Sequence, residues 1–123
     1  MARYPGLTLR ILADRHPAMG PGKAQLVAAI DATGSISAAA RSMNMSYRRA
    51  WQLVEAINDS FSQPVIVTAT GGKRGGGARV TPFGRQLVRR FRAMEEKASE
   101  AIAKDLQVFS RHLKRPSAPR GTR

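Results

Sequence analysis

The chain is 123 residues long and carries 21 Lys+Arg against 8 Asp+Glu, a formal net charge of +13 at pH 7. A domain this small repels itself at that charge and favours a polyanionic partner, nucleic acid ahead of an anionic membrane surface, because each cation set on a phosphate releases a counterion. There is no cysteine, which excludes disulfides and thiolate metal sites, and the two histidines, His16 and His112, lie near opposite ends of the chain with no ligand spacing around them.

Arg3, Arg10, Asp14 and Arg15 interrupt every apolar run in residues 1–20, so the segment reads as neither a signal peptide nor a membrane span. A cytoplasmic location is the default expectation. Residues 7–12 are β-prone and predict an edge strand, a third strand for the sheet further along the chain. Two prolines and two glycines in 16–22 predict a loop. Pro21 suits the first turn of a helix over about 22–33, with Leu26, Val27 and Ile30 on one face and Gly34 as a left-handed terminator.

Ser37 is the expected N-cap of the next helix, with Ile36 ahead of it as a hydrophobic staple. Its body, Ala38 to Met43, is small enough for other helices to approach closely, and Asn44 ends it. Ser46 then caps a third helix running to about Asp59. Tyr47, Ala50, Trp51, Val54, Ile57 and Phe61 recur at spacings of three and four and predict its buried stripe. Trp51 on that stripe reads as a core anchor rather than a base-stacking residue, while Arg48, Arg49, Gln52 and Glu55 fall off it toward solvent or a ligand.

After Pro64, residues 65–70 are β-branched and strand-like, and Arg79 to Thr81 resume a strand that Pro82 ends. The segment 65–81 therefore predicts a β-hairpin with the glycine-rich tip GGKRGGGAR at 71–79. A long helix follows from Arg85. Leu87, Phe91, Met94 and Ala98, then Ile102, Leu106, Phe109 and Leu113, form a coiled-coil-like seam with one four-residue slip. Residues 114–123 are basic and proline-bearing and predict a disordered tail. The expected fold is mostly α with a small β-hairpin: a winged helix-turn-helix over 1–84, a long dimerisation helix over 85–113, and the tail.

That arrangement suits a DNA-binding function. The second helix of a helix-turn-helix lies in the major groove, and its first turns reach base edges; here they carry Ser46, Tyr47, Arg48, Arg49 and Gln52. Arginine offers a fork to guanine and glutamine a matching pair of contacts to adenine. Lys73, Arg74 and Arg79 form a cationic wing for the minor groove or the phosphate backbone. Seven basic residues and no acid lie between Gly71 and Arg92, and Arg85, Arg89, Arg90 and Arg92 start the long helix beside the wing. The competing readings are a three-helix packing unit with a solvated cationic face and, for 71–79, a plain hairpin tip. A nucleotide-cradling loop is excluded, because Lys73 is followed by Arg74 rather than Ser or Thr and the loop joins two strands. No serine or threonine has a histidine beside it, so no enzyme, cofactor or metal is expected. Leu87, Phe91, Met94, Ile102, Leu106 and Phe109 are the expected dimer contacts.

Three features form a specific combination: GSISAAARSMNMSYRRAW at 34–51 with its Ser46–Tyr47 pair and Trp51, the glycine wing at 71–77 followed by Thr81 and Gly84, and the helix after it. Over about residues 20–95 the chain resembles the N-terminal DNA-binding domain of the ModE-type regulators of molybdenum metabolism. LysR-type helix-turn-helix domains share the Gly-Ser-x-Ser/Thr-Ala-Ala opening but usually lack this wing. The resemblance implies a winged helix, a homodimer joined through the long helix, and a palindromic operator in double-stranded DNA. Members that sense molybdate carry a C-terminal region of two small β-barrel repeats. The sequence stops at KRPSAPRGTR, so a single-domain member is expected, with no small-molecule effector evident. Two functions follow from the residues: a sequence-specific dimeric transcription regulator, or a weakly specific structural DNA-coating protein. Arg48, Arg49 and Gln52 together favour the regulator.

Overall fold

Pro21 stands in the first turn of a helix spanning Pro21–Thr33 (α1), where its missing N–H costs no hydrogen bond, and Gly34 ends that helix at φ 71°, donating its N–H to the carbonyl of Ile30. The computed structural model describes residues 6–69 and 77–114. Around α1 stand β1 (Ile11–Ala13), β2 (His16–Met19), α2 (Ile36–Ser42), α3 (Tyr47–Ser60), β3 (Ile66–Ala69), β4 (Gly77–Val80), α4 (Pro82–Ala101) and α5 (Ala103–Ser110). The wing tip at 70–76, with Lys73 and Arg74, and the predicted tail from 115 onward lie outside the described residues.

The main core is filled by Leu26, Val27 and Ile30 of α1, the alanines Ala39 and Ala40 of α2, and Ala50, Val54 and Ile57 of α3, closed by Val65, Ile66 and Val80. Each fully buried Leu, Ile or Val contributes roughly 1.5–3 kcal/mol. The alanines allow α2 to approach α1 and α3 closely, as their size predicts.

The start of α2 differs from expectation. Ser35, not Ser37, is the N-cap: its backbone is extended and its Oγ accepts the Ala38 N–H at 3.0 Å. Ile36, buried, is thus the first residue inside the helix rather than a staple ahead of the cap. Ser37 consequently lies in the first turn, its hydroxyl accepting from Arg41 at 3.2 Å.

β3 and β4 pair antiparallel in the expected hairpin, with Ile66 opposite Val80 and Ala69 opposite Gly77. Two ties position this sheet. The carboxamide of Asn58, near the end of α3, accepts from Val65 N–H (2.8 Å) and Ile66 N–H (3.1 Å) and donates to Ile66 O (2.9 Å). At the other strand, Ala78 N–H donates to Gly34 O at 3.0 Å, fixing the wing base to the end of α1.

Residues 7–22 also depart from expectation. β1 does not join the wing sheet but pairs antiparallel with β2, Leu12 opposite Pro17 and Ala13 opposite His16, in a hairpin of its own. Asp14 turns the chain at φ 56°, a conformation that Asp tolerates better than most residues. Pro17 is acceptable in a two-stranded hairpin, where one edge of each strand needs no N–H donor.

This hairpin changes the role of Phe91. Expected on the dimer seam, Phe91 is only 2% exposed and packs with Met19 and Ala24 in a second core cluster, so the protomer itself covers it. Leu87 is half-buried against both clusters. The helix expected from Arg85 begins at Pro82 with Thr81 as its cap, and the single helix expected to 113 is two, broken at Ile102 (φ −106°, ψ 11°). No proline or glycine marks the break, which falls beyond Phe91, the last buried residue of α4.

Gly84 is where α4 meets the wing. A Cβ there would lie 2.6 Å from Val65 O and within 3 Å of the Val65 and Val80 side chains, and the Val65 carbonyl is held in place by the Thr81 N–H at 2.9 Å. Gly84→Ala is therefore expected to cost about 1–3 kcal/mol. Thermal unfolding checks this; an unchanged midpoint would mean that α4 can shift off β3 freely.

Candidate nucleic-acid interface

The turn between α2 and α3 is made by Asn44 at φ 58°, with Met45 N–H returning to Ala40 O at 3.0 Å. Ser46 then caps α3 as expected, its Oγ accepting Arg49 N–H at 3.0 Å. The first turn of α3 holds no acid. The positive end of the helix dipole and the two guanidinium groups of Arg48 and Arg49 thus project together.

Tyr47, Arg48, Arg49 and Gln52 are all exposed, and among the described residues neither arginine is in an ion pair. Tyr47 was expected on the buried stripe. Instead it is 53% exposed, standing edge-on to Trp51 with ring centroids 6.3 Å apart. Trp51 itself is half-buried against the main core, as an anchor should be. Arg49 also lies near Lys23 of α1. Partial burial, and then the Arg49 charge, lower the Lys23 ammonium below the usual lysine range.

On the wing, Arg79 points outward between buried Ala78 and Val80, as the alternation of a strand requires. Its two expected companions, Lys73 and Arg74, lie outside the described residues. Arg85 is engaged within the protomer: its guanidinium grips Asp31 through Nε–H (3.2 Å to each oxygen) and Nη2 (3.0 Å), joining α4 to α1. The carboxylate raises the Arg85 pKa, by hydrogen bonding first and by charge second. Arg92 is likewise paired, with Glu95 at 3.1 Å. Arg89 and Arg90 stay exposed and share one outer face of α4 with Gln86, Ala93, Met94 and Lys97.

Of the other residues expected at the dimer seam, Met94 and Phe109 are exposed, Phe109 by 66%, while Ile102 and Leu106 are half-buried. Sequence reasoning missed Ser35, Asn58 and the Asp31–Arg85 pair. Ser35 was signalled by Gly34 just before it, since a left-handed residue followed by an extended serine is a usual exit and re-entry between helices. The other two are long-range contacts with no local signature.

A capped helix presenting Tyr47, Arg48 and Arg49, a second helix bracing it, and a β-hairpin beside them define a winged helix-turn-helix protein. Residues 22–85 match the model of the bacterial regulatory helix-turn-helix proteins of the lysR family. The chain belongs to that family of DNA-binding regulators of transcription. The resemblance to the ModE-type regulators holds as well. The chain is 45% identical over 95 residues to the molybdenum-pterin-binding protein MopB of Rhodobacter capsulatus, covering 77% of this chain and 34% of that protein. It is 32% identical over 88 residues to the DNA-binding transcriptional dual regulator ModE of Escherichia coli (strain K12), covering 69% and 34%. It spans about a third of the length of these relatives. A solved structure of ArgP from Mycobacterium tuberculosis is similar at 24% identity and TM-score 0.48, over 68% of this chain and 30% of that one. No helix among the described residues is long and apolar enough to cross a membrane.

Proposed function

We propose that the chain is a sequence-specific, dimeric regulator that binds a palindromic operator in the cytoplasm. α3 lies in the major groove, Tyr47, Arg48, Arg49 and Gln52 over the base edges, while Arg79, with Lys73 and Arg74 of the wing tip, neutralises flanking phosphates. The observation that carries this reading is the capped, acid-free start of α3, where Arg48 and Arg49, exposed and without an ion-pair partner among the described residues, sit on a helix whose opposite face is locked into the core. Serine capping leaves the orientation of those side chains fixed by a rigid element rather than a loop.

Two substitutions separate reading of bases from grip on the backbone. Arg49→Ala is expected to cost about 1–3 kcal/mol on the operator and little on random DNA. Arg79→Ala should weaken both alike and flatten the salt dependence by about one unit. Operator fragments come from footprinting on the upstream region of the chain's own coding sequence, and affinities from titration at several salt concentrations. Equal losses on both DNAs for Arg49→Ala would favour the DNA-coating alternative.

Dimerisation runs along α4 and α5. Met94, Val108, Phe109 and Leu113 leave apolar surface in water that a second copy would cover, and Ile102 and Leu106 lie between them. Phe109→Asp together with Met94→Asp should yield monomers by sedimentation. An unchanged dimer would place the interface elsewhere.

DNA binding by these 123 residues needs no molybdate on this reading. Holding an oxyanion against water takes converging N–H and hydroxyl donors, and the serines at the helix starts, Ser35 and Ser46, are engaged as caps. Operator affinity should be indifferent to micromolar molybdate beyond its ionic strength. A saturable molybdate site in calorimetry on this chain would overturn that.

A further inference from the structure

The β1–β2 hairpin has no part in the interface described so far, yet its placement relative to α3 is defined. α1 is about 20 Å long and carries one hairpin at each end. At its C-terminal end Gly34 O receives the Ala78 N–H of the wing, and in its first turn the Lys23 ammonium donates to Pro17 O of β2. β2 runs along α3 in a known direction. Met19, its last residue, packs in the cluster that includes Phe61, just past the C-terminal end of α3. Pro17, near the start of β2, is tied to Lys23, which lies close enough to Arg49 for the two charges to oppose each other. The tip of the hairpin, Asp14–Arg15, therefore points toward the capped, DNA-reading end of α3.

We propose that this hairpin is a second wing, whose exposed Arg15, backed by Lys23, sits on phosphates flanking α3 on the side away from the β3–β4 wing. The inference rests on the DNA-binding reading above. It accounts for the tip's composition. Arg15 and His16 are exposed there, and Asp14, the hairpin's acid, occupies the residue whose φ of 56° favours Asp or Asn.

The test uses the full chain and a random-sequence duplex, with affinity measured across a salt series. Arg15→Glu should bind about tenfold more weakly and reduce the salt slope by about one unit or more, as loss of a phosphate contact requires. Asp14→Asn keeps a residue suited to the turn but removes a negative charge, and should bind about two- to threefold more tightly. Lys104→Glu, the same change of charge on exposed α5, should alter affinity less than about twofold if position rather than net charge matters. Arg15 is exposed, so an unchanged thermal midpoint separates lost contact from lost fold. Equal effects of Arg15→Glu and Lys104→Glu, or no effect of Arg15→Glu, would overturn the second wing while leaving the regulator reading intact. Failure of the unaltered chain to bind DNA at any salt would overturn both.

Discussion

Everything on the wing side of this molecule depends on the close approach of α4 to the first residues of β3. Thr81 donates its N–H to Val65 O and its hydroxyl to Pro64 O, while the same oxygen accepts the Gly84 N–H and so starts α4. Val65 and Ile66 are in turn held by Asn58 of α3. A continuous path of hydrogen bonds thus runs from the recognition helix through the wing base into α4. With no side chain at Gly84, these backbones stay in register, and the angle between wing and recognition helix becomes a property of the fold. A loop-borne set of cations could not hold two grooves of DNA at a constant spacing.

How far the sequence alone revealed this varies with the range of the interaction. α3 was legible almost to the residue, because Ser46 and the stripe Ala50–Val54–Ile57 are local signals of cap and period. The wing strands were legible from β-branched residues bounded by Pro64 and Pro82. The cap of α2 was displaced by two residues, since Ser35 and Ser37 are equally good caps locally and only the burial of Ile36 decides between them. Phe91 looked like interface because its cover is a hairpin that Pro17 and Gly20 disguise as a loop. Tyr47 fell on the right helical face but too near the helix start for any partner except Trp51. Among the cations the pattern could not tell the free from the engaged: Arg85 pairs with an aspartate 54 residues away, whereas Arg48, Arg49 and Arg79 pair with no acid among the described residues.

Charge is distributed unevenly over this frame. The start of α3, the outward face of the wing and the first half of α4 carry cations, while Glu95, Glu96 and Glu100 follow on the second half of α4 and Asp105 opens α5. Lys97, Lys104, Arg111 and Lys114 balance these acids, so among the described residues the excess of cations lies before residue 93, where it draws a polyanion. Asp31 of α1 is paired with Arg85 at the start of α4.

The break at Ile102 gives α4 the character of a ruler. The helix has 20 residues and so measures roughly 30 Å, close to one turn of duplex DNA. It begins at the wing, and the apolar residues that invite a second copy lie in its second half and beyond it, from Met94 to Leu113. The separation and relative rotation of two recognition helices would then be inherited from the length of α4. One residue inserted after Phe91 would rotate everything beyond it by about 100° and lengthen the arm by about 1.5 Å. Such a change would leave every DNA-facing side chain untouched, yet it would alter which half-site spacing the pair could span. On the proposed reading, operator spacing could thus diverge among related chains through single-residue insertions and deletions in a helix that carries no base-reading side chain.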